Sequence, residues 1–325
     1  MVVDQVAQTR QQLKKIQQQF MAGESFHELP ERLNQLAKQV TYAADKTPVV
    51  LPRDTQTALA RVKQIDDELK QSDEPQISND DLQFLLAHLG VTNARLRDRG
   101  VYFLFNDLIR LTAFTPEQEE WLVMQLISPA YMFDHILEPH NNAVFKRSFA
   151  VMLLAGLLYA DRHYYHVLSS AEINAVILAM ATYMLLEQDG RGYIDHKGWA
   201  HSYTHIGNVL DELFQSTVLN RANKLFLLAA FYTGYRQMND PLIYGEPQRL
   251  AMAVANLTNL NTLYTDYLLL ILQDWQKEIA QLQPEQNIAF WNRWYNRDRL
   301  LQSMLVRGDQ PQKIQDYLGK IIDMY

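Results

Sequence analysis

The sequence predicts an all-α protein, and three observations support this prediction. Apolar residues recur at helical spacing along most of the 325 residues, and turn signals such as Thr115-Pro116 and Ser169-Ser170 separate these stretches. No alternating β-branched run is bounded by Asn-Gly or Asp-Gly. Because the chain is too long for a four-helix bundle, we expect an α-solenoid of stacked, HEAT-like helix pairs, with a closed α/α toroid as the alternative.

Residues 1–75 are predicted to form an N-terminal helical arm or hairpin. Glutamine is dense and aromatic residues are rare in this part. Its helical spacing is clearest where Leu59, Val62, Ile65 and Leu69 recur. Two alternatives stay open here, a hairpin packed on the main body and an arm that binds a partner or dimerises. The predicted helices are Val3–Phe20, Glu31–Ala44 and Thr55–Leu69.

A polar break at Ser72–Asn79 separates this arm from a repeat-like domain over residues 76–325. The break contains Pro75, and Ser78 with Asp81 three residues later fits a helix N-cap. Later turn signals divide the remainder into further helices. The predicted helices are Glu117–Leu137, Val144–Tyr159, Ala171–Leu186, Trp199–Gln215, Asn220–Tyr235, Glu246–Thr258, Asn261–Leu282, Glu285–Met304 and Gln312–Met324.

Composition excludes several classes of function. A net charge of −7 without a basic patch disfavours a nucleic-acid partner. The absence of cysteine excludes disulfides, thiolate nucleophiles and cysteine-based metal sites. The longest apolar windows, Phe149–Ala160 and Ile173–Leu186, are shorter than the ~20 residues that span a bilayer, so they indicate core helices and no membrane partner. The N-terminus lacks a secretory signal, and we expect a cytoplasmic protein without a cofactor.

The segment Glu187–Phe214 carries the candidate functional site, because it combines acidic residues, histidines, arginine and the glycines Gly190, Gly192 and Gly198 around one predicted helix start. At about 100° per residue, a helix from Trp199 puts Trp199 on its apolar face. The same helix has a polar stripe on the other face. The stripe consists of His201, His205, Asn208 and Glu212.

Histidines four residues apart can bind one metal ion, and Glu212 lies two turns further on. The spacing lacks the internal glutamate of metalloproteases, since residues 202–204 are Ser, Tyr and Thr. His201, His205 and Glu212 are therefore metal candidates that rest on an incomplete motif. Hydrogen bonding in a polar pocket and structural capping are the alternatives.

The loop before this helix contains Glu187, Asp189 and Arg191 around Gly190 and Gly192. Its charged groups can satisfy exposed helix ends by hydrogen bonding and charge pairing. They can also serve catalysis. A histidine would then act as base or metal ligand, a carboxylate such as Asp211 would orient it, and Arg191 would hold an anionic substrate group.

The chain resembles the bacterial family catalogued as domain of unknown function 2785. The resemblance covers about residues 90–260 and leaves residues 1–75 outside. Its most specific part is Gly198-Trp199-Ala200-His201 with His205 four residues later. The other matching blocks are Leu96-Arg97-Asp98, Phe145-Lys146-Arg147-Ser148-Phe149, Arg191-Gly192-Tyr193, Leu210-Asp211-Glu212-Leu213, and Glu246 with Arg249-Leu250-Ala251.

The resemblance implies an all-helical fold and supplies no reaction. Where family members tend to have Ala-His-Gly-Ala-Asp, this chain has Thr204, His205, Ile206, Gly207 and Asn208. Asn208 thus stands in place of a carboxylate on the polar stripe, which weakens a metal site there.

Two functional hypotheses follow from the sequence. The first is a scaffold whose surface binds a protein or peptide partner, as helical stacks do through extended grooves. The second is a hydrolase-like enzyme, with or without the assistance of a metal, whose site is at Glu187, Asp189, Arg191, His201, His205 and Asp211. The enzyme hypothesis requires His201, His205 and Arg191 to converge on one open pocket.

Overall fold

The computed structural model describes residues 2–321 and is all-helical, with 68% of residues in helices. The N-terminal part contains α1 (Val2–Met21), α2 (Leu29–Lys38) and α3 (Thr55–Gln71). The next helix, α4 (Asn79–His88), begins at the predicted N-cap, because the Ser78 side chain accepts a hydrogen bond from the Asp81 amide. The sequence prediction of this cap is confirmed.

The middle of the chain is helical with short irregular turns. A π-helical segment at Arg95–Tyr102 continues directly into α5, and a second one at Asp161–Tyr165 ends α7. The α-helices here are α5 (Phe103–Arg110), α6 (Pro116–Leu126), α7 (Ala143–Ala160), α8 (Ser170–Leu186) and α9 (Ser202–Gln215). Between α8 and α9, β1 (Tyr193–Ile194) pairs antiparallel with β2 (Gly198–Trp199).

The remaining helices follow the predicted order. They are α10 (Arg221–Arg236), α11 (Glu246–Thr258), α12 (Thr262–Gln281), α13 (Ile288–Arg307) and α14 (Gln312–Ile321). The predicted end of the last helix, Met324, lies outside the described residues.

Helices α7 to α13 pack as alternating neighbours. Helix α9 lies between α7 and α11, and α11 also contacts α13; α10 lies between α8 and α12. The N-terminal helices join the same body, since α1 contacts α8 and α10, and α2 contacts α10. Gln17 of α1, for example, donates hydrogen bonds to Asn174 and Asn223. One contiguous cluster of buried apolar side chains runs from Val6 in α1 to Ile321 in α14.

Several predicted helix boundaries are wrong, among them one each in α6, α2 and α9. Helix α6 ends at Leu126 instead of Leu137, and the turn-rich segment that follows contains Pro129, which cannot continue a helix. Helix α2 ends at Lys38 instead of Ala44. Helix α9 begins at Ser202 instead of Trp199, because Gly198 and His201 both have left-handed backbone, with φ of 83° and 55°. The sequence also missed the β1–β2 hairpin.

Within residues 2–321, one stretch, Ala143–Tyr165, is long and apolar enough to cross a membrane by length and composition. In this structure 78% of its most apolar window is buried inside the protein. Core helices of this kind pass the same length and composition test, so the stretch is weak evidence for a membrane span.

Gly234→Ala is expected to lower the free energy of unfolding by roughly 1–3 kcal/mol, because overpacking costs more than alanine gains in helix propensity. A Cβ on Gly234 in α10 would lie 1.8 Å from the main-chain oxygen of Met184, so α8 and α10 would have to separate. Gly319→Ala in α14 is the matched control, since its Cβ would meet nothing within 4 Å. Urea denaturation of both variants measures the difference, and equal stabilities would contradict the close packing of α8 on α10.

Candidate functional site

Three loops meet on one side of the protein, at the starts of α7, α9 and α11; we call this surface the loop face (residues 127–142, 187–201 and 237–245). The middle loop contacts both others. Arg191 donates from Nη2 to the carbonyl oxygen of Asn141 at 2.8 Å, and the amide of Gly190 donates to Asp240 at 2.8 Å. The loop face is thus a connected unit, assembled from segments far apart in sequence.

A buried ion pair underlies the loop face. Arg147 of α7 donates from Nε and Nη2 to the two carboxylate oxygens of Glu187, at 2.7 and 2.9 Å, and both side chains are excluded from solvent. Burial by itself lowers the pKa of Arg147, but the charge and hydrogen bonds of Glu187 offset this and raise it. The Asp189 amide also donates to Glu187. Glu187 therefore fixes the loop and is not free for chemistry.

Asp189 and Arg191 also pair with each other. Nε of Arg191 donates to Asp189 at 2.8 Å, and the Asp189 carbonyl accepts from the Ser202 hydroxyl at the start of α9. Together with the bond to Asn141, these contacts tie the loop to its neighbours. Both residues therefore have the architectural role that the sequence left open, in which charged groups of the loop satisfy helix ends and neighbouring segments.

His205 points into the core between α9 and α7. Its Nδ1 lies 2.8 Å from the carbonyl oxygen of Ser148, and its ring packs edge-on against Phe149. Burial lowers the pKa of His205 to about 3, so the ring is neutral at pH 7. The predicted position of His205 on a stripe away from the core is wrong, because α9 has neighbours on both sides.

The other candidate polar residues of α9 bond to two different helices. Asn208 and Asp211 accept hydrogen bonds from Arg249 of α11, and Asp211 also accepts from Asn256. Glu212 instead pairs with Arg162 at the end of α7, at 2.6 Å. Asp211 and Glu212 are thus in helix-to-helix contacts. The His201 and His205 ring centres are 6.4 Å apart, but His205 is buried in the core and Arg191 is bonded to Asp189 and Asn141, so these three residues do not line one open pocket.

Among residues 2–321, one group of three metal-ligand side chains lies close enough to share an ion, and it consists of His140, Asp189 and Asp240. It does not include His201, His205 or Glu212. Nε2 of His140 lies 2.7 Å from Asp240, while Asp189 is bonded to the Arg191 guanidinium. The positive charge of Arg191 opposes a cation at this position.

Arg97 anchors the β1–β2 hairpin from a distance. It is fully buried, donates from Nη2 to the carbonyl oxygen of Lys197 at 2.9 Å, and lies 4.2 Å from the centre of the Phe145 ring. A Cβ on Gly198 would lie 2.9 Å from the Ala94 side chain. Only glycine fits this position, since the backbone is left-handed and the Arg97 segment approaches so closely.

The hairpin and the loop before α11 present three aromatic rings to solvent, which we call the aromatic cluster: Tyr193 and Trp199 of the hairpin and Tyr244 of the loop. Their exposed fractions are 49%, 42% and 47%. Trp199 lies edge-to-face with Tyr193 at 5.1 Å and with Tyr244 at 5.5 Å between ring centres. A Cβ on Gly192 would lie 2.3 Å from the Tyr244 ring, so glycine there allows Tyr244 to pack.

Sequence reasoning missed this cluster. It put Trp199 on the apolar face of α9, which is wrong because Trp199 is in β2 and exposed. A signal was present, since each of the three aromatic residues stands beside a glycine in the sequence. Such pairs mark places where a ring and the backbone approach closely.

His201 and Glu246 face each other beside the aromatic cluster. His201 Nε2 and Glu246 Oε1 are 3.9 Å apart, and both atoms are buried without a hydrogen-bond partner in the protein. The His201 ring lies 4.3 Å from Trp199, and the other Glu246 oxygen accepts from the Tyr244 amide at 2.7 Å. Burial lowers the pKa of His201 and raises that of Glu246. The pair leaves two polar atoms available to one bridging group.

A family model described as "Protein of unknown function (DUF2785)" matches residues 132–306, more than half of the chain. The match begins and ends later than the region of about 90–260 in which the sequence suggested the resemblance. It contains the loop face from residue 132 onward, the hairpin and Glu246. No curated protein matches the chain, and no solved structure matches it.

Proposed function

Because the chain belongs to the family of domain of unknown function 2785, for which no activity is described, we propose its function from the geometry of the loop face. The protein is a helical-repeat scaffold that binds a protein or peptide partner through the aromatic cluster. The single observation that carries this proposal is the exposure of three rings side by side, Tyr193 and Trp199 on a braced hairpin and Tyr244 on the loop next to it.

Exposed tryptophan and tyrosine side by side are typical of interaction surfaces. These side chains supply large contact areas and polar tips, and they dominate the binding energy of many interfaces. The hairpin that carries Tyr193 and Trp199 is held by Arg97 and by the Ala200 amide, which donates to the Gly192 carbonyl at 2.8 Å. A rigid support lowers the entropy lost on binding.

The helix arrangement supports the architecture that the sequence predicted. The neighbours α7, α9, α11 and α13 on one side and α8, α10 and α12 on the other form the alternation expected of an α-solenoid of HEAT-like pairs. We propose this architecture, with the α/α toroid as its alternative. A cytoplasmic location, the bacterial origin, and the absence of cofactor, nucleic-acid and membrane partners stay predictions.

Peptides selected from a displayed random library on the immobilised protein are expected to bind at least ten-fold more weakly to the Trp199→Ala/Tyr244→Ala variant. Removing two anchor rings deletes the contacts that such sites depend on. Both rings are partly exposed, so the melting temperature should change little. Dissociation constants from fluorescence polarisation measure the effect.

The matched control is Tyr159→Ala/Tyr164→Ala, which removes another exposed pair of rings that contact each other, 6.1 Å apart, at the end of α7. Peptides should bind this variant as tightly as the wild type. Selected peptides that bind equally to both double variants would overturn the proposal, and so would a library that yields no binder.

The alternative is a hydrolase-like enzyme, and the observation that favours it is the unpaired facing atoms of His201 and Glu246. A neutral histidine beside a carboxyl group is a recognised acid–base arrangement. Hydrolysis of simple chromogenic esters or phosphoesters that disappears in His201→Asn would support this alternative. Asparagine tolerates the left-handed backbone of position 201, so this variant removes the imidazole with little strain.

A further inference from the structure

The Glu246 carboxyl group lacks a donor that its burial requires. Its exposed fraction is 1%, and Oε1 has no hydrogen-bond partner within the protein. A buried carboxyl oxygen left unpaired is costly, more so when it is ionised. The site therefore favours a ligand that brings a donor to Oε1.

Nearby basic residues do not bond to Glu246. Arg249, three residues along α11, donates from Nε and Nη2 to Asn208 and Asp211 and keeps Nη1 unpaired, and Lys197 donates to Asn142. Arg191 is held by Asp189. None of these side chains pairs with Glu246, which faces His201 across 3.9 Å.

The surroundings of this pair suit a cation with several N–H groups. A neutral imidazole nitrogen accepts a hydrogen bond, as a carboxylate does, so the two facing atoms can both accept from one guanidinium or ammonium group. Trp199 and Tyr244 lie next to the pair, and aromatic faces attract cations. The net charge of −7 would also attract a basic partner over longer distances.

We infer that the partner anchors itself with a basic side chain, arginine or lysine, whose N–H groups bond to Glu246 and His201 while its charge lies against Trp199 and Tyr244. This inference rests on the proposed function and specifies the chemistry of the partner. Both acceptor atoms are closed to solvent, so entry requires the Trp199 or Tyr244 ring to rotate. Binding must then change the surroundings of Trp199.

Fluorine NMR of the full-length protein carrying 5-fluorotryptophan tests this. The Trp199 signal is identified by its loss in Trp199→Phe. N-acetyl-arginine amide and N-acetyl-lysine amide are expected to shift that signal at millimolar concentration and to leave the signal of exposed Trp291 in place. N-acetyl-citrulline amide has the shape of the arginine probe without its charge, and it should bind at least ten-fold more weakly.

Glu246→Gln keeps the shape of the side chain and its acceptor for the Tyr244 amide, but removes the charge. Arginine amide should bind this variant at least ten-fold more weakly, while its melting temperature is equal to or above that of the wild type. Equal shifts with citrulline amide, or unchanged binding by Glu246→Gln, would overturn the inference.

Different results would contradict the proposed binding function and the basic anchor. Displayed peptides that require Trp199 and Tyr244 but contain no arginine or lysine would overturn the basic anchor and leave the binding function intact. Arginine amide that shifts the Trp199 signal in the wild type and not in Glu246→Gln supports the anchor.

Discussion

Replacing Arg147 by methionine is expected to lower the free energy of unfolding by roughly 3–5 kcal/mol, because it leaves the Glu187 carboxylate buried without its partner. Arg147 makes two bonds to Glu187 and a third to the carbonyl oxygen of Asp134, so one substitution releases two of the segments that build the loop face. Urea denaturation followed by circular dichroism measures the loss.

A double-mutant cycle with Glu187→Gln separates the ion pair from the packing. Glutamine retains an oxygen that accepts from the Asp189 amide. The double variant should lose less unfolding free energy than the two single variants lose together, because it contains no buried charge without a partner. Lys277→Ala breaks the exposed pair with Asp274 and serves as control, with a change within about 0.5 kcal/mol. A similarly small loss for Arg147→Met would contradict the role of the pair.

Glu119→Gln is expected to stabilise the protein increasingly as the pH rises from about 4.5 to about 8. Burial, followed by the charge of Asp161, raises the pKa of Glu119 from 4.5 to about 8, and both carboxyl oxygens lack a partner. The folded state therefore holds a proton that the unfolded state has released, so wild-type stability falls across this pH range and levels off above it.

Glu119→Gln has no such proton. The difference between its free energy of unfolding and that of the wild type should therefore grow across this pH range by an amount on the order of 3–5 kcal/mol. The glutamine side chain of Glu119→Gln buries an amide, which adds an offset that does not depend on pH. Denaturation at pH 5, 7 and 8.5 measures the difference. Glu117→Gln is the control in the same helix, because Glu117 is exposed and main-chain bonds lower its pKa. If the stability difference between Glu119→Gln and the wild type stays constant with pH, Glu119 is not a buried carboxylic acid with a raised pKa.

Local features of the chain were predictable because they depend on residues a few positions apart. Ser78 caps α4, and Thr115 and Ser169 cap α6 and α8 with glutamine or glutamate three residues later. The order of the helices from α7 to α14 follows from the same kind of signal. The family resemblance was predictable for a similar reason, since Gly198-Trp199-Ala200-His201 is a continuous block.

The candidate site was predictable only in part. The sequence located it in Glu187–Phe214, and the hairpin and His201 lie there. The geometry of the site differs from the prediction. Arg97 donates to the Lys197 carbonyl from 100 positions away in the sequence and holds a hairpin where a helix start was expected. Glu246 belongs to the blocks that resemble the family, and nothing in the sequence indicated that it faces His201.

The sequence by itself determined an all-helical chain, its family and the segment that contains the site. Those conclusions depend on apolar periodicity, helix caps and short motifs, which act over one or two turns. Only the tertiary structure decided which side chains are free. Glu187 is hydrogen-bonded to Arg147, His205 to the Ser148 carbonyl, and Asp211 to Arg249. His201 and Glu246, in contrast, each keep a buried atom without a hydrogen-bond partner. Whether a polar group is satisfied depends on partners that folding brings from distant positions, and spacing along one helix does not contain that information.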